Sequence, residues 1–348
     1  MRGVVRFFQR VLFMLLAGAA LYGVIHCPIE GGATLYVRGN LPLTRAVTPS
    51  VYGMQLPMPE VPAVPVEEPP AETPKVPPVR GDILGLMYHD FTDDPAKTSA
   101  WTTTGEKFRD DLLSLMEAGY RPLSVEAYIT GQYDLGQDYF VVTFDDGYLS
   151  NLTVALPVLR ELSVPATMFV ITGSTELPNH LSWGEIALFN ESDLISVYSH
   201  TDSHVRADSM PLTSFLLDEA AAWDKLTKYI QPERKVLAYP NGAFTRASME
   251  ALAADGYEMF AVQHAPDWYR EENAAGIRLL VRQNVSFDAD MLALAAEHRS
   301  RAGLPSLAEA NAIRAESAAA EEAARLAYLR SVVDYDYERY HDERERPK

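Results

Sequence analysis

Tyr139-Phe140-Val141-Val142-Thr143-Phe144-Asp145-Asp146-Gly147 is the stretch from which the rest of the chain can be read. Its apolar first half, aromatic and β-branched, predicts a buried strand. The strand ends in two adjacent carboxylates closed by glycine. Like charges this close raise each other's pKa, and a bound cation relieves that penalty. Neighbouring residues on a strand point to opposite faces, so Asp145 and Asp146 share one site only where the backbone turns, and Gly147 suits such a turn. A second apolar run, 194–198, ends in Ser199-His200-Thr201-Asp202-Ser203-His204. One Asp with two His gives an N,N,O ligand set with positions left for water and substrate, the pattern of a catalytic divalent-metal site. Singly, Asp-Asp-Gly is a common turn and HxxxH is more often a pair of surface or capping histidines. Both elements end predicted strands, where α/β folds place their chemistry, and this favours the metal-type site.

From position 82 onward, strand-like and helix-like segments alternate. Apolar runs occur at 83–87, 140–144, 167–172, 194–198, 236–239, 259–262 and 277–281, with helical periodicity at 108–118, 152–162, 212–230 and 246–254. Repeated βα units of this spacing imply a mostly parallel sheet or barrel.

These residues together resemble the polysaccharide deacetylases, carbohydrate esterase family 4. The resemblance is carried by residues 143–147 and by His200 through His204. It extends to Leu86-Met87-Tyr88-His89-Asp90, to 151–170 with Pro157 and Pro165-Ala166-Thr167, and to Trp183-Gly184-Glu185-Ile186. Ala238-Tyr239-Pro240-Asn241-Gly242 and Gly256-Tyr257 complete it, so that it covers about residues 82–287. It implies an α/β fold, a distorted (β/α) barrel with about seven parallel strands; periodicity alone does not establish closure.

The resemblance also implies roles. Asp146, His200 and His204 would hold a divalent metal, zinc in most of the family and cobalt or nickel in some members. Asp145 would be the base that takes a proton from water, and Thr201 would brace the histidine loop. The backbone N–H of Asn241 would stabilise the oxyanion, with Tyr239, Pro240 and Gly242 shaping that turn; alone, Pro-Asn-Gly reads as an ordinary turn. The family often carries an arginine two residues before this proline, where Ala238 stands here. Asp267-Trp268 resembles the motif whose Asp tunes a catalytic histidine and whose Trp lines the sugar pocket. The motif expected to supply that histidine after the last strand is not visible; Val281-Arg282-Gln283-Asn284 stands there. Arg282 is therefore a candidate to pair with the Asp145 region, and His264 is the candidate general acid, against a plain reading as an exposed loop residue. His89 is a candidate for lining the pocket. His26, His180, His298 and His341 receive no role.

The chain has 348 residues, 47% of them hydrophobic, and a formal net charge of −18. That balance argues against nucleic acid and anionic membrane surfaces as partners, while a neutral glycan remains open. Cys27 is the one cysteine, so no intrachain disulfide forms.

Arg2, Arg6 and Arg10 precede an apolar run over 11–29, which as a helix would span about 28 Å. The expectation is a cytoplasmic N-terminus at 1–10 and a single-pass transmembrane anchor at 11–29, with the rest outside. The alternative is a cleaved signal peptide with Ala17-Gly18-Ala19 at the cut. Residues 30–80 form a Pro-rich linker, with nine prolines within 57–78; extended, that stretch reaches about 70 Å. A deacetylase domain over 81–290 follows. Residues 291–348 form a helical, charged tail, with helices expected near 289–302 and 306–333 and fraying from 334.

The function expected is metal-dependent hydrolysis of N-acetyl groups on an extracytoplasmic polysaccharide: peptidoglycan, poly-N-acetylglucosamine or a chitin-like glycan. The alternatives are a catalytically weak or inactive glycan-binding member of the same fold and a hydrolase of a non-glycan amide. The sequence leaves the oligomeric state unassigned.

Overall fold

The computed structural model describes residues 25–28, 34–37, 79–190, 194–266, 269 and 278–345. The chain divides into two units, 1–70 and 71–348. In the first, Ile25–Pro28 pairs antiparallel with Thr34–Val37. Ile25–Pro28 falls inside the span read as a membrane helix and is extended instead; Pro28 offers no helical N–H and Ile25 is β-branched. The remainder of 11–29, and the proline-rich 57–78, lie outside the described residues. Among the described residues no helix is long and apolar enough to cross a membrane.

The second unit is a closed parallel barrel. Its strands are β1 Ile83–Tyr88, β2 Tyr139–Phe144, β3 Ala166–Val170, β4 Ile195–Ser199, β5 Lys235–Ala238, β6 Tyr257–Val262 and β7 Arg278–Asn284. Each pairs with the next, and β7 pairs back onto β1 through Arg282↔Gly85 and Asn284↔Met87. A two-residue strand, Arg121–Pro122, pairs beside the start of β2. All seven strands coincide with apolar runs named above, and closure agrees with the resemblance. The last strand runs on through Asn284, so Arg282 lies within it rather than after it.

Period-two alternation sorts the strand residues into two layers. Val141, Phe169, Tyr198, Val236, Met259 and Leu280 share one buried cluster inside the barrel. Their neighbours Phe140, Val142, Met168 and Val197 pack outward with Phe108, Leu112, Leu115 and Leu159 of the surrounding helices. Those helices include α1 Gly105–Glu117, α2 Val125–Thr130, α3 Leu156–Leu162, α4 Trp183–Asn190, α5 Leu212–Tyr229 and α6 Arg246–Ala254. Counting from Val141 places Thr143 and Asp145 on the inward face, and counting from Leu280 does the same for Arg282.

The tail forms α7 Met291–Arg301 and α8 Leu307–Glu345. The helix continues through 334–345, where fraying was expected; Glu and Arg are frequent there and favour helix. Arg299 and Arg314 each meet the fully buried Asp138 at 2.6 Å, and His298 Nδ1 lies 2.9 Å from Asp82. Asp82 and Asp138 directly precede β1 and β2. The tail is thus fastened to the end of the barrel opposite Asp145 and Asp146.

Candidate active site

Asp145 follows the last inward position of β2, is 2% exposed, and donates its N–H to Tyr88 O at 2.9 Å. Asp146 then turns the chain with φ 71°, followed by Gly147 at φ 84°. This left-handed pair lets both carboxylates face one cavity. A Cβ on Gly147 would also sit 3.2 Å from Val170 Cγ1.

Arg282 reaches Asp145 across the barrel interior. Nη1 donates to Oδ1 at 2.5 Å and Nη2 to Oδ2 at 2.7 Å, with both side chains buried. Nη1 also donates to Thr143 Oγ1 at 2.9 Å, which in turn donates to Leu86 O at 2.7 Å. Gly85 makes room for this arrangement: a Cβ there would lie 3.2 Å from Arg282 Cγ and 2.5 Å from Val281 O. Burial alone would raise the Asp145 pKa, but Arg282 and His200 outweigh it and hold the carboxyl at about 2. Asp146 has no such partner. Burial and the Asp145 charge push it up to about 6.

The histidines approach from the loop after β4. His200 Nδ1 lies 2.7 Å from Ala238 O, an acceptor. The Nδ1 proton therefore points at that carbonyl, and Nε2 presents its lone pair to the cavity. Burial lowers the His200 pKa to about 4, so the ring is neutral in ordinary buffer. His204 is lowered as well, also by burial.

His200 Nε2 and His204 Nε2 each stand 3.6 Å from Asp146 Oδ1, too far for a hydrogen bond. Atoms bonded to one ion at about 2.1 Å and a tetrahedral angle lie about 3.4 Å apart. The three ligand atoms fall within 4.8 Å of one another, and Asp146 Oδ1 is buried with no hydrogen-bond partner. Two imidazoles whose pKa values burial lowers, and an orphaned carboxylate oxygen, at this spacing fit a divalent cation.

The histidine loop is braced by α5, a support the sequence gave no sign of. Asp218 Oδ1 accepts from the N–H groups of Asp202 and Ser203 at 2.9 and 3.1 Å. Asp202 Oδ1 accepts from Thr172 Oγ1 and Lys225 Nζ at 2.5 and 2.6 Å. The fully buried Glu219 accepts from Ser199 Oγ at 2.8 Å and Tyr257 Oη at 2.6 Å. Thr201 is buried at φ 66° and its Oγ1 accepts from Val205 N–H at 3.3 Å.

The remaining candidates divide. His89 sits just after β1, where it feels the charges of Asp145, Asp146, Arg282 and His204. Its Nδ1 is buried without a partner, and burial lowers its pKa. His264 is exposed against Phe244, with ring centroids 5.5 Å apart. Among the described residues no hydrogen bond or ion pair joins it to the two aspartates. Of these two histidines, His89 is the one that follows a strand paired directly with β2. Asp267 and Trp268 lie outside the described residues.

In the turn after β5, Asn241 is exposed at φ 55° and Pro240 and Gly242 are buried. A Cβ on Gly242 would meet Gln263 at 2.9 Å. Tyr239 corrects the expectation of a substrate contact. Its ring is 0% exposed and stacks among Phe215, Phe244 and Phe260, because alternation turns it outward into the helix layer. His180, given no role by the sequence, stacks on Tyr148 with centroids 5.0 Å apart, and both bear on the Asp146 charge.

Residues 132–260 match the sequence model of the family described as polysaccharide deacetylase. The chain is 24% identical over 177 residues to YxkH of Bacillus subtilis (strain 168), a protein named for the polysaccharide deacetylases; the match covers 50% of this chain and 62% of YxkH. It is 23% identical over 223 residues to the poly-beta-1,6-N-acetyl-D-glucosamine N-deacetylase of Escherichia coli (strain K12), covering 51% of this chain and 33% of that protein. In both cases the chain spans less than two thirds of the relative's length. The structure of IcaB from Ammonifex degensii superposes with a TM-score of 0.52 at 25% identity, covering 60% of this chain and 94% of that one. Family match, relatives and barrel agree: residues 132–260, within the barrel, are similar to the polysaccharide deacetylase family.

Proposed function

We propose that this domain hydrolyses the N-acetyl groups of a polysaccharide with the help of a divalent metal, releasing acetate and leaving free amines on the glycan. The convergence of Asp146, His200 and His204 beside the Asp145–Arg282 pair carries this reading. A divalent ion held by those three residues would acidify a water and polarise the acetyl carbonyl, which is what lets a carboxylate as weakly basic as Asp145 serve as the base. Zinc suits the N,N,O donor set, with cobalt or nickel as alternatives.

Arg282 fixes both Asp145 oxygens and keeps the carboxyl ionised. As the water oxygen bonds to the acetyl carbon, Asp145 takes a water proton. The backbone N–H of Asn241, an exposed residue, is the donor for the oxyanion. When the C–N bond breaks, the nitrogen needs a proton, because an amine does not leave as an anion. His89, in electrostatic range of both aspartates, supplies it from its imidazolium form, and the proton taken up by Asp145 balances the cycle.

Arg282 also bears on the reading of the fold as an inactive glycan-binding module. The position vacated at Ala238 is compensated from β7, so the base has its cation. Of the polymers considered, the name of the Escherichia coli relative favours poly-β-1,6-N-acetylglucosamine. Acetate release from that polymer, peptidoglycan, a chitin oligomer and small acetamides tests this choice. Release from small amides alone would favour the non-glycan alternative, and release from none would favour a binding module.

We further propose that the domain works outside the cytoplasm, tethered through the apolar residues that follow Arg10. The support is Arg2, Arg6 and Arg10 ahead of an apolar run.

A further inference from the structure

Trp101 is a large aromatic side chain left open beside the proposed catalytic groups. It is 52% exposed, whereas Tyr88, Phe91, Phe108 and Phe144 below the same loop are buried. Its ring meets His89 edge to face, with centroids 4.7 Å apart and planes at 76°. His89 in turn lies in the field of Asp145 and Asp146. The indole therefore stands at the rim of the site.

The loop that displays it is held on both sides. Asp90 N–H donates to Trp101 O at 3.0 Å, and Trp101 N–H donates to Ser99 Oγ at 3.1 Å. Thr102–Thr103 pairs with Asp90–Phe91. Asn284 Nδ2, at the end of β7, donates to Ala100 O at 2.9 Å. An indole held open in water gives up the burial that its apolar area would otherwise supply. An indole fixed there has its ordering cost already met, and a flat apolar ligand face gains that burial on docking.

The chemistry of the rim selects the ligand. The C–H face of a pyranose is flat, apolar and slightly positive, which suits the negative face of an aromatic ring. The net charge of −18, with Asp90, Asp93 and Asp94 in the same loop, disfavours an anionic ligand. A sugar already bearing a freed amine would gain cation–π attraction as well.

We propose that Trp101 forms a sugar-binding subsite, its indole stacking on a pyranose ring next to the unit whose acetyl group is hydrolysed. The inference rests on the deacetylase reading above. It makes Trp101 a determinant of chain-length preference, distinct from His89, which acts on the reacting atoms.

The test compares the full-length parent, Trp101→Ala and Trp101→Phe on a β-1,6-linked N-acetylglucosamine pentamer and on the monosaccharide. The expected result for Trp101→Ala is a rise of about tenfold in KM for the pentamer, a much smaller rise for the monosaccharide, and a kcat within about threefold of the parent. Trp101→Phe should recover most of the loss, and the pH–rate profile should keep its shape. Equal KM values for parent and Trp101→Ala on the pentamer would overturn the proposal. So would equal losses on both substrates or a shifted pH profile, which would make Trp101 a support for His89. If the parent releases no acetate from any glycan, the deacetylase reading fails instead. Calorimetric titration with the pentamer then reads the subsite directly, and equal binding by parent and Trp101→Ala would overturn it.

Discussion

Arg282 and Asp145 stand 137 residues apart in the chain and share two hydrogen bonds inside the barrel, at 2.5 and 2.7 Å. Arg282 lies within β7 and Asp145 just past the end of β2, and between those strands stands only β1, which contributes the small Gly85. The pair keeps a buried carboxylate ionised, with its pKa at about 2. That depressed value stabilises the fold above the ordinary carboxylate range and is lost as pH falls through about 2.

Replacing Arg282 with Met should leave Asp145 buried without a cation. We expect a stability loss of about 3–5 kcal/mol at neutral pH in urea denaturation. Burial would then raise the Asp145 pKa, and the acid limb of kcat/KM should move to higher pH. Arg282→Lys keeps the charge without the fork and should fall between. An acid limb unchanged in Arg282→Met would show that Arg282 does not set the state of Asp145.

Metal content should separate the two aspartates. Elemental analysis of the parent should give about one divalent ion per chain, and His200→Ala, His204→Ala or Asp146→Asn should remove it. Asp145→Asn should retain the ion while acetate release falls by about 10²–10⁴. Retained metal in both histidine variants would refute the ligand set.

Proton delivery to the leaving nitrogen is assigned to His89. His89→Gln should lower kcat by about a hundredfold and remove the high-pH limb of the rate profile. His264→Gln should behave like the parent. The reverse pattern would return the role to His264.

Glu219 makes stability depend on pH. Burial raises its pKa to about 8 from 4.5, so the unfolded chain ionises it first and the fold loses stability between those values as pH rises. Glu219→Gln mimics the neutral acid. Parent and variant should unfold at similar urea concentrations near pH 4, whereas above pH 8 the variant should be the more stable, by on the order of a few kcal/mol. A constant difference at both pH values would contradict the raised pKa.

Protease added to intact spheroplasts should cut within 57–78 and release a soluble, active domain. Mass spectrometry of the mature protein should find Met1 or Arg2 at the N-terminus. A start at Ala20 would show cleavage after Ala17-Gly18-Ala19 and refute the tether.

Much of this domain was legible in its sequence because the signals are local. Seven apolar runs of strand length mark the seven strands, and Asp-Asp-Gly and His-x-x-x-His mark the turns where Asp146, His200 and His204 converge. Alternation along β2 and the turn at Gly147 suffice to bring Asp145 and Asp146 to one side. The α5 brace of Asp218, Glu219 and Lys225 left no such mark, since acidic and basic residues on a helix read equally well as a solvated face.

Only the tertiary structure decided which distant groups complete the site. Barrel closure sets β7 beside β1 and β1 beside β2, and this brings Arg282 and His89 to Asp145. Strand order in space is fixed by side-chain packing and hydrogen-bond register between segments far apart in the chain, so the sequence offered Arg282 only as a candidate partner of the Asp145 region and His89 only as a candidate lining residue. The same barrel leaves His264 exposed beyond the end of β6, against Phe244. It also turned Tyr239 into the core, since a side chain one position out of the inward register points away from the barrel interior.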